Sequence, residues 1–203
     1  MRTILIAATI LALGVSGANA ANIALLGNAI VVAGHNDLGL DQHGLLNNST
    51  KTQVNAAGYN WLNVGQNGAL NNSNVIQVAP GGINLGGTYQ TGVLNNAQLN
   101  QQADKGLNDA GIRQSGLFNQ AVTNQNAVNG GVNQSGTTQT GIANLSLTNQ
   151  LAVNGGANQS FTTQTGVANQ SLTNQQAAGG GHNYSSIDQS GLGNVSTTTQ
   201  IAY

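Results

Sequence analysis

Polar and apolar positions alternate along residues 34–200, but the alternation rests on amides where most proteins use leucine. Each half-repeat opens on Asn and closes on Gln six residues later, as from Asn47 to Gln53 and from Asn194 to Gln200. Six is an even number. In a β-strand, whose side chains alternate between faces, both amides and the two positions between them therefore point to the same side. Those intermediate positions are consistent with a buried face. In the second half-repeat the residue two after Asn is Ser49, Ser73, Ala97, Ala121, Ser146, Ser171 or Ser196, and the next on that face is Val75, Leu99, Thr123, Thr148, Thr173 or Thr198, with Lys51 as the exception. The first half-repeat has Ser135, Ser160, Ser185 or Ala110, followed by Val64, Thr88, Ile112, Thr137, Thr162 or Ile187. The pattern predicts two strands per unit whose like faces confront each other.

The unit occurs seven times. The motif Q-x-G-x-x-N-x-(Ala/Ser)-x-x-x-Q starts at Gln42, Gln66, Gln90, Gln114, Gln139, Gln164 and Gln189, and an Asn lies six residues before each start: Asn36, Asn60, Asn84, Asn108, Asn133, Asn158 and Asn183. The second halves run from Asn47 to Gln53, Asn71 to Gln77, Asn95 to Gln101, Asn119 to Gln125, Asn144 to Gln150, Asn169 to Gln175 and Asn194 to Gln200. Starts are spaced by 24 residues and, over the last three intervals, by 25, the period of a stacked repeat and not of a single globular core. The added residue falls in the connection between units, where it disturbs the stack least. Gly44, Gly68, Gly92, Gly116, Gly141, Gly166 and Gly191 mark the turn between halves, where a positive φ favours a residue without Cβ.

The expectation is an all-β fold, a β-solenoid of seven stacked strand-turn-strand repeats with amyloid-like cross-β spacing and Asn and Gln ladders. Layers about 4.7–4.8 Å apart would give a rod roughly 33 Å tall. A buried amide is costly when unpaired, but a ladder lets each NH2 donate to the carbonyl oxygen of a neighbouring layer, at a net gain of about 0.5–1.5 kcal/mol per bond. Strict register separates this chain from a disordered polar tract of similar composition.

Composition narrows the function classes. The 203 residues hold four Lys and Arg, five Asp and Glu, and no Cys. So few cations assemble no basic patch for nucleic acid or an anionic membrane, and disulfides are excluded. Acidic residues are all Asp, with no Ser-His-Asp spacing, which points away from catalysis; His35, His43 and His182 are scattered and imply neither a metal nor a cofactor. Charge concentrates in the first and fourth units. Lys51 is set inward by parity, so a loosened or distorted first layer is expected. Units five and six, with TTQTGIANLSLTNQ from Thr137 and TTQTGVANQSLTNQ from Thr162, carry no charge and are expected to be the strongest aggregation segments. Trp61, Tyr89, Phe118, Phe161 and Tyr184 form no single ladder and are expected on outer faces or turns. The N-x-(Ser/Thr) matches fall on inward Asn and are by-products of the period. Residues 1–20 have the Arg2, apolar stretch and Ala18-Asn19-Ala20 site of a secretory signal, and that stretch is short for a membrane span. Residues 21–33 follow as a separate N-terminal segment, and residues 34–203 hold the repeats.

These residues resemble the curlin repeat of the curli family, secreted bacterial amyloid subunits with the motif S-x5-Q-x-G-x-x-N-x-A-x3-Q. All seven units carry the Q, G, N and Q; Asn replaces the leading Ser, and Ser replaces Ala in five units. The resemblance covers residues 34–200. It implies a fibre subunit at the surface of a Gram-negative bacterium, serving adhesion, aggregation and the biofilm matrix. Implied partners are other copies of itself, a nucleator subunit, an outer-membrane secretion channel to which residues 21–33 would direct the chain, and periplasmic chaperones. A second class stays open, a monomeric solenoid binding ice or another ligand. It would require a flat outward row of threonines such as those at Thr137-Thr138 and Thr197–Thr199.

Overall fold

The computed structural model describes residues 23–31 and 34–203, so the expected signal at residues 1–20 lies outside the described residues. Every described element is a strand. After β1 (Ile23–Val31), each unit supplies two strands: β2 (His35–Leu45) and β3 (Asn48–Asn55), β4 (Tyr59–Ala69) and β5 (Asn72–Ala79), β6 (Ile83–Val93) and β7 (Asn96–Asp104), β8 (Leu107–Leu117) and β9 (Gln120–Val128). Units five to seven supply β10 (Val132–Ile142) and β11 (Leu145–Val153), β12 (Ala157–Val167) and β13 (Gln170–Ala178), β14 (His182–Leu192) and β15 (Val195–Ala202).

Strands of one unit never pair with each other. All odd strands form one eight-stranded sheet in the order β1-β3-β5-β7-β9-β11-β13-β15, and the even strands form a seven-stranded sheet from β2 to β14. Every pair is parallel. Each unit is thus an arch whose legs belong to opposite sheets, because a marginal two-stranded piece gains its backbone partners only from the layers above and below. The pairs within the repeats join equivalent positions, for example Asn133 with Asn158 and Gln139 with Gln164. The β-solenoid with buried Asn and Gln ladders is therefore the observed fold.

The core lies between the facing sheets and changes character along the stack. Leu62, Val64, Val75, Ala97, Leu99, Ala110, Ile112 and Ala121 form an aliphatic cluster in layers two to four. From layer five on, Ser135, Thr137, Ser146, Thr148, Ser160, Thr162, Ser171 and Thr173 fill the same buried face. The extra residue of the longer periods sits in the outer connection, where Asn129 and Gly130 take φ of 50° and 81°. The register of β8 and β10 is unbroken across it.

Candidate functional site: amide ladders and the two ends of the stack

Four amide ladders run through the core, and each rung is a side chain-to-side chain hydrogen bond. In the first halves Gln66 Nε2 donates to Gln90 Oε1 at 2.8 Å and Gln90 to Gln114 at 2.9 Å. Gln114, Gln139 and Gln164 continue through Gln139, Gln164 and Gln189 at 2.8 Å each. In the second halves Gln53 donates to Gln77, Gln77 to Gln101, Gln101 to Gln125, Gln125 to Gln150, Gln150 to Gln175 and Gln175 to Gln200. Every Gln rung donates toward the C-terminal end.

Asn rungs run the other way. Asn60 donates to Asn36 at 3.0 Å, Asn84 to Asn60 at 2.9 Å, and Asn108, Asn133, Asn158 and Asn183 each donate to the Asn one layer earlier. Asn71, Asn95, Asn119, Asn144, Asn169 and Asn194 do the same in the second halves, starting from Asn47. The second hydrogen of each amide fixes these directions, because it goes to a backbone carbonyl, which can only accept. Gln66 Nε2 reaches Asn48 O at 2.9 Å, Gln77 Nε2 reaches Trp61 O at 2.9 Å, and Asn84 Nδ2 reaches Val78 O at 2.9 Å. Such bonds tie the facing sheets to each other as well as layer to layer.

The second-half Asn sits in the arch just before its strand, and not within it. Asn95 Nδ2 donates to Thr91 O at 3.1 Å and to Gly116 O at 3.0 Å, while its backbone N–H donates to Asn71 Oδ1 at 3.2 Å. The arch glycines Gly44, Gly68, Gly92, Gly116, Gly141, Gly166 and Gly191 all have positive φ, between 107° and 119°. Stacking adds a second reason for glycine, since a Cβ on Gly92 would lie 2.0 Å from Gly116 O. Two residues further on, Leu46, Leu70, Leu94, Phe118, Ala143 and Ala168 also take positive φ, near 55°. Sequence reasoning missed these, because nothing in side-chain type marks them; Gly193 in the last unit is the one hint. It also missed an outer ladder, Asn100 to Asn124 to Asn149 to Asn174, with rungs of 2.7, 2.8 and 2.9 Å. The signal was present as an Asn directly before the closing Gln of units three to six.

Lys51 faces inward as parity requires, 2% exposed and in register with Val75. Its Nζ donates to Gly39 O at 3.1 Å. Burial without a counter-ion pushes its ammonium pKa down to about 7. The expected distortion of the first layer is not found: β2 with β4 and β3 with β5 keep full register. The irregularity lies instead in β1, whose pairing with β3 shifts between Leu26, the partner of Lys51, and Ala29, the partner of Gln53. The aromatics are on outer surfaces. The Tyr89 ring lies over Gly65, where a Cβ would come within 2.9 Å of it, and its hydroxyl accepts from Asn63 Nδ2 at 2.8 Å.

The ladders terminate at the two ends of the stack. At the C-terminal end a cleft of about 450 Å³ opens between β14 and β15, lined by Ile187, Gln189, Asn194, Ser196 and Thr198. There Gln189 Nε2 and Gln200 Nε2 each donate to one backbone carbonyl, Gln170 O at 2.9 Å and Tyr184 O at 2.7 Å, and among the described residues the second hydrogen has no acceptor. At the other end Asn36 Nδ2 is a buried donor with no partner among the described residues. Such an arrangement has the chemistry to accept another layer of itself. Comparison with protein-family models, with curated proteins and with solved structures finds no match.

Proposed function

We propose that this protein is the structural subunit of an extracellular, curli-like amyloid fibre that self-assembles head to tail and supports adhesion, aggregation and the biofilm matrix. The observation that carries the reading is the complementarity of the ends: among the described residues, Asn36 Nδ2 at one end has no acceptor, and the matching oxygen, Asn183 Oδ1 at the other, receives no donor. The repeat register that joins Asn158 to Asn183 would join Asn183 to Asn36 of the next copy. Open parallel edges of this kind are templates for addition, and a heterologous contact that does not close produces a filament. Export through an outer-membrane channel, chaperoning in the periplasm and a nucleator subunit belong to the same proposal through the curlin resemblance.

The ligand-binding alternative has less support. Thr138 and Thr163 are exposed, but Thr137 and Thr162 are buried, and the outward row is interrupted by Arg113 on one side and Asp188 on the other. Purified protein diluted from denaturant, followed by thioflavin fluorescence and fibre diffraction, tests the fibre reading. Seedable growth with a meridional reflection near 4.7–4.8 Å is expected; a β-rich species that stays monomeric would sink it.

A further inference from the structure

The two sheets do not end level. Within the described residues the odd-numbered sheet has eight strands and the even-numbered sheet seven, and the surplus strand is β1, which pairs along the outer edge of β3. Two copies joined end to end must bring β14 and β15 of one against the N-terminal end of the other. With β1 in place, β15 meets β1 and not β3, so β14 and the second copy's β2 are held two strand spacings apart, about 9.6 Å instead of about 4.8 Å. The seven-stranded sheet would then lack one strand at every joint, leaving the facing backbone edges of β14 and β2 unpaired. Unpaired backbone groups enclosed in a joint are costly.

β1 is also a poor match for the edge it occupies. Its register sets Ala24 against Ser49, Leu26 against Lys51 and Ala29 against Gln53, with the shift in between. Continuing the repeat register would instead set Ser196, Thr198 and Gln200 of a second copy's β15 there. The incoming strand continues the Gln ladder; β1 carries no amide at that position. It also brings β14 to β2, and with it an acceptor for Asn36 Nδ2.

We infer that β1 is a removable edge strand that blocks the N-terminal end of the stack, and that β15 of a second copy displaces it as the two molecules join. The inference rests on the fibre reading and specifies how the joint is regulated. Among the described residues β14 and β15 are edge strands that nothing covers, whereas the N-terminal end opens only when β1 leaves. Folded molecules therefore persist singly until exchange occurs, and growth consumes one β1 displacement per added copy.

A covalent lock tests this. Leu25 and Thr50 are paired across β1 and β3, and the chain has no cysteine of its own. Parallel neighbours lie within disulfide reach. The full-chain variant Leu25→Cys with Thr50→Cys should lose most of its seeded elongation rate when oxidised and recover it on reduction. Oxidised protein added in small proportion to growing wild-type fibres should stop growth at their N-terminal end alone, because a locked copy can dock there through its own C-terminal end and then accept nothing. A second variant lacking residues 23–31 should elongate at least as fast as wild type with a shorter lag. Equal growth of the oxidised and reduced lock, or slower growth of the deletion, overturns the inference. Failure of wild type itself to elongate is a separate result and sinks the fibre reading instead.

Discussion

At the scale of single residues, the core places polar groups where each must find a partner, and the two that depart from the ladder scheme set measurable energies. Lys51 is the first. Its pKa of about 7 in the folded state lies below the ordinary lysine value near 10.5, so between these pH values the unfolded chain holds a proton that the folded one does not. Stability therefore rises as pH increases from about 7 to about 10.5 and is flat below, a span of order 5 kcal/mol. Urea unfolding midpoints should climb over that window, and Lys51→Val should abolish the climb while raising stability at neutral pH. Buried hydroxyls are the second departure. Thr137 Oγ1 and Thr162 Oγ1 have no hydrogen-bond partner among the described residues, and replacing an unsatisfied buried hydroxyl by a methyl removes a penalty of about 1–3 kcal/mol. Thr137→Val with Thr162→Val should raise the unfolding midpoint; a lower midpoint would show that those hydroxyls are paired in solution. That parity turned Lys51 and both threonines inward was readable in the chain. Their partners were not, because those depend on the opposite sheet.

At the scale of the element, the arch carries most of the local constraint. Its glycine meets two demands at once, a φ above 100° and the close approach of the next layer's carbonyl. Gly92→Ala should therefore cost more than the ~1 kcal/mol typical of a strained φ alone, because the added Cβ would sit 2.0 Å from Gly116 O. Gly111→Ala is the control: it lies mid-strand in β8, and its Cβ would meet nothing within 4 Å. Denaturant midpoints should fall sharply for the first and barely move for the second. The need for glycine was legible from its position between half-repeats. The left-handed Leu46, Leu70 and Leu94 beside it were not, since the arch takes any side chain there and imposes the conformation from outside. β1 escaped sequence reading for a related reason: it lacks the repeat motif, and its place is set by the edge of β3 that the repeats leave unpaired.

At the scale of the whole molecule, the stacking direction, the equivalence of layers and the inward faces were all readable, because a period of two nested in a period of 24 or 25 leaves one way to place like residues over like. Opposite sheets for the two legs of each unit follow from the same pattern once hairpin pairing within the unit is excluded. The opposed senses of the Gln and Asn ladders have an electrical consequence. Within the core each layer adds two amide dipoles pointing up the axis and two pointing down, and parallel strands contribute little of their own; the outer Asn100–Asn174 ladder, which donates toward the C-terminal end, has no opposed partner row. An α-helix keeps fractional charges of opposite sign at its two ends; the core ladders of this rod, however many layers it has, cancel in opposed pairs. The core amides therefore contribute the same potential at the tip of a short stack as at the tip of a long one.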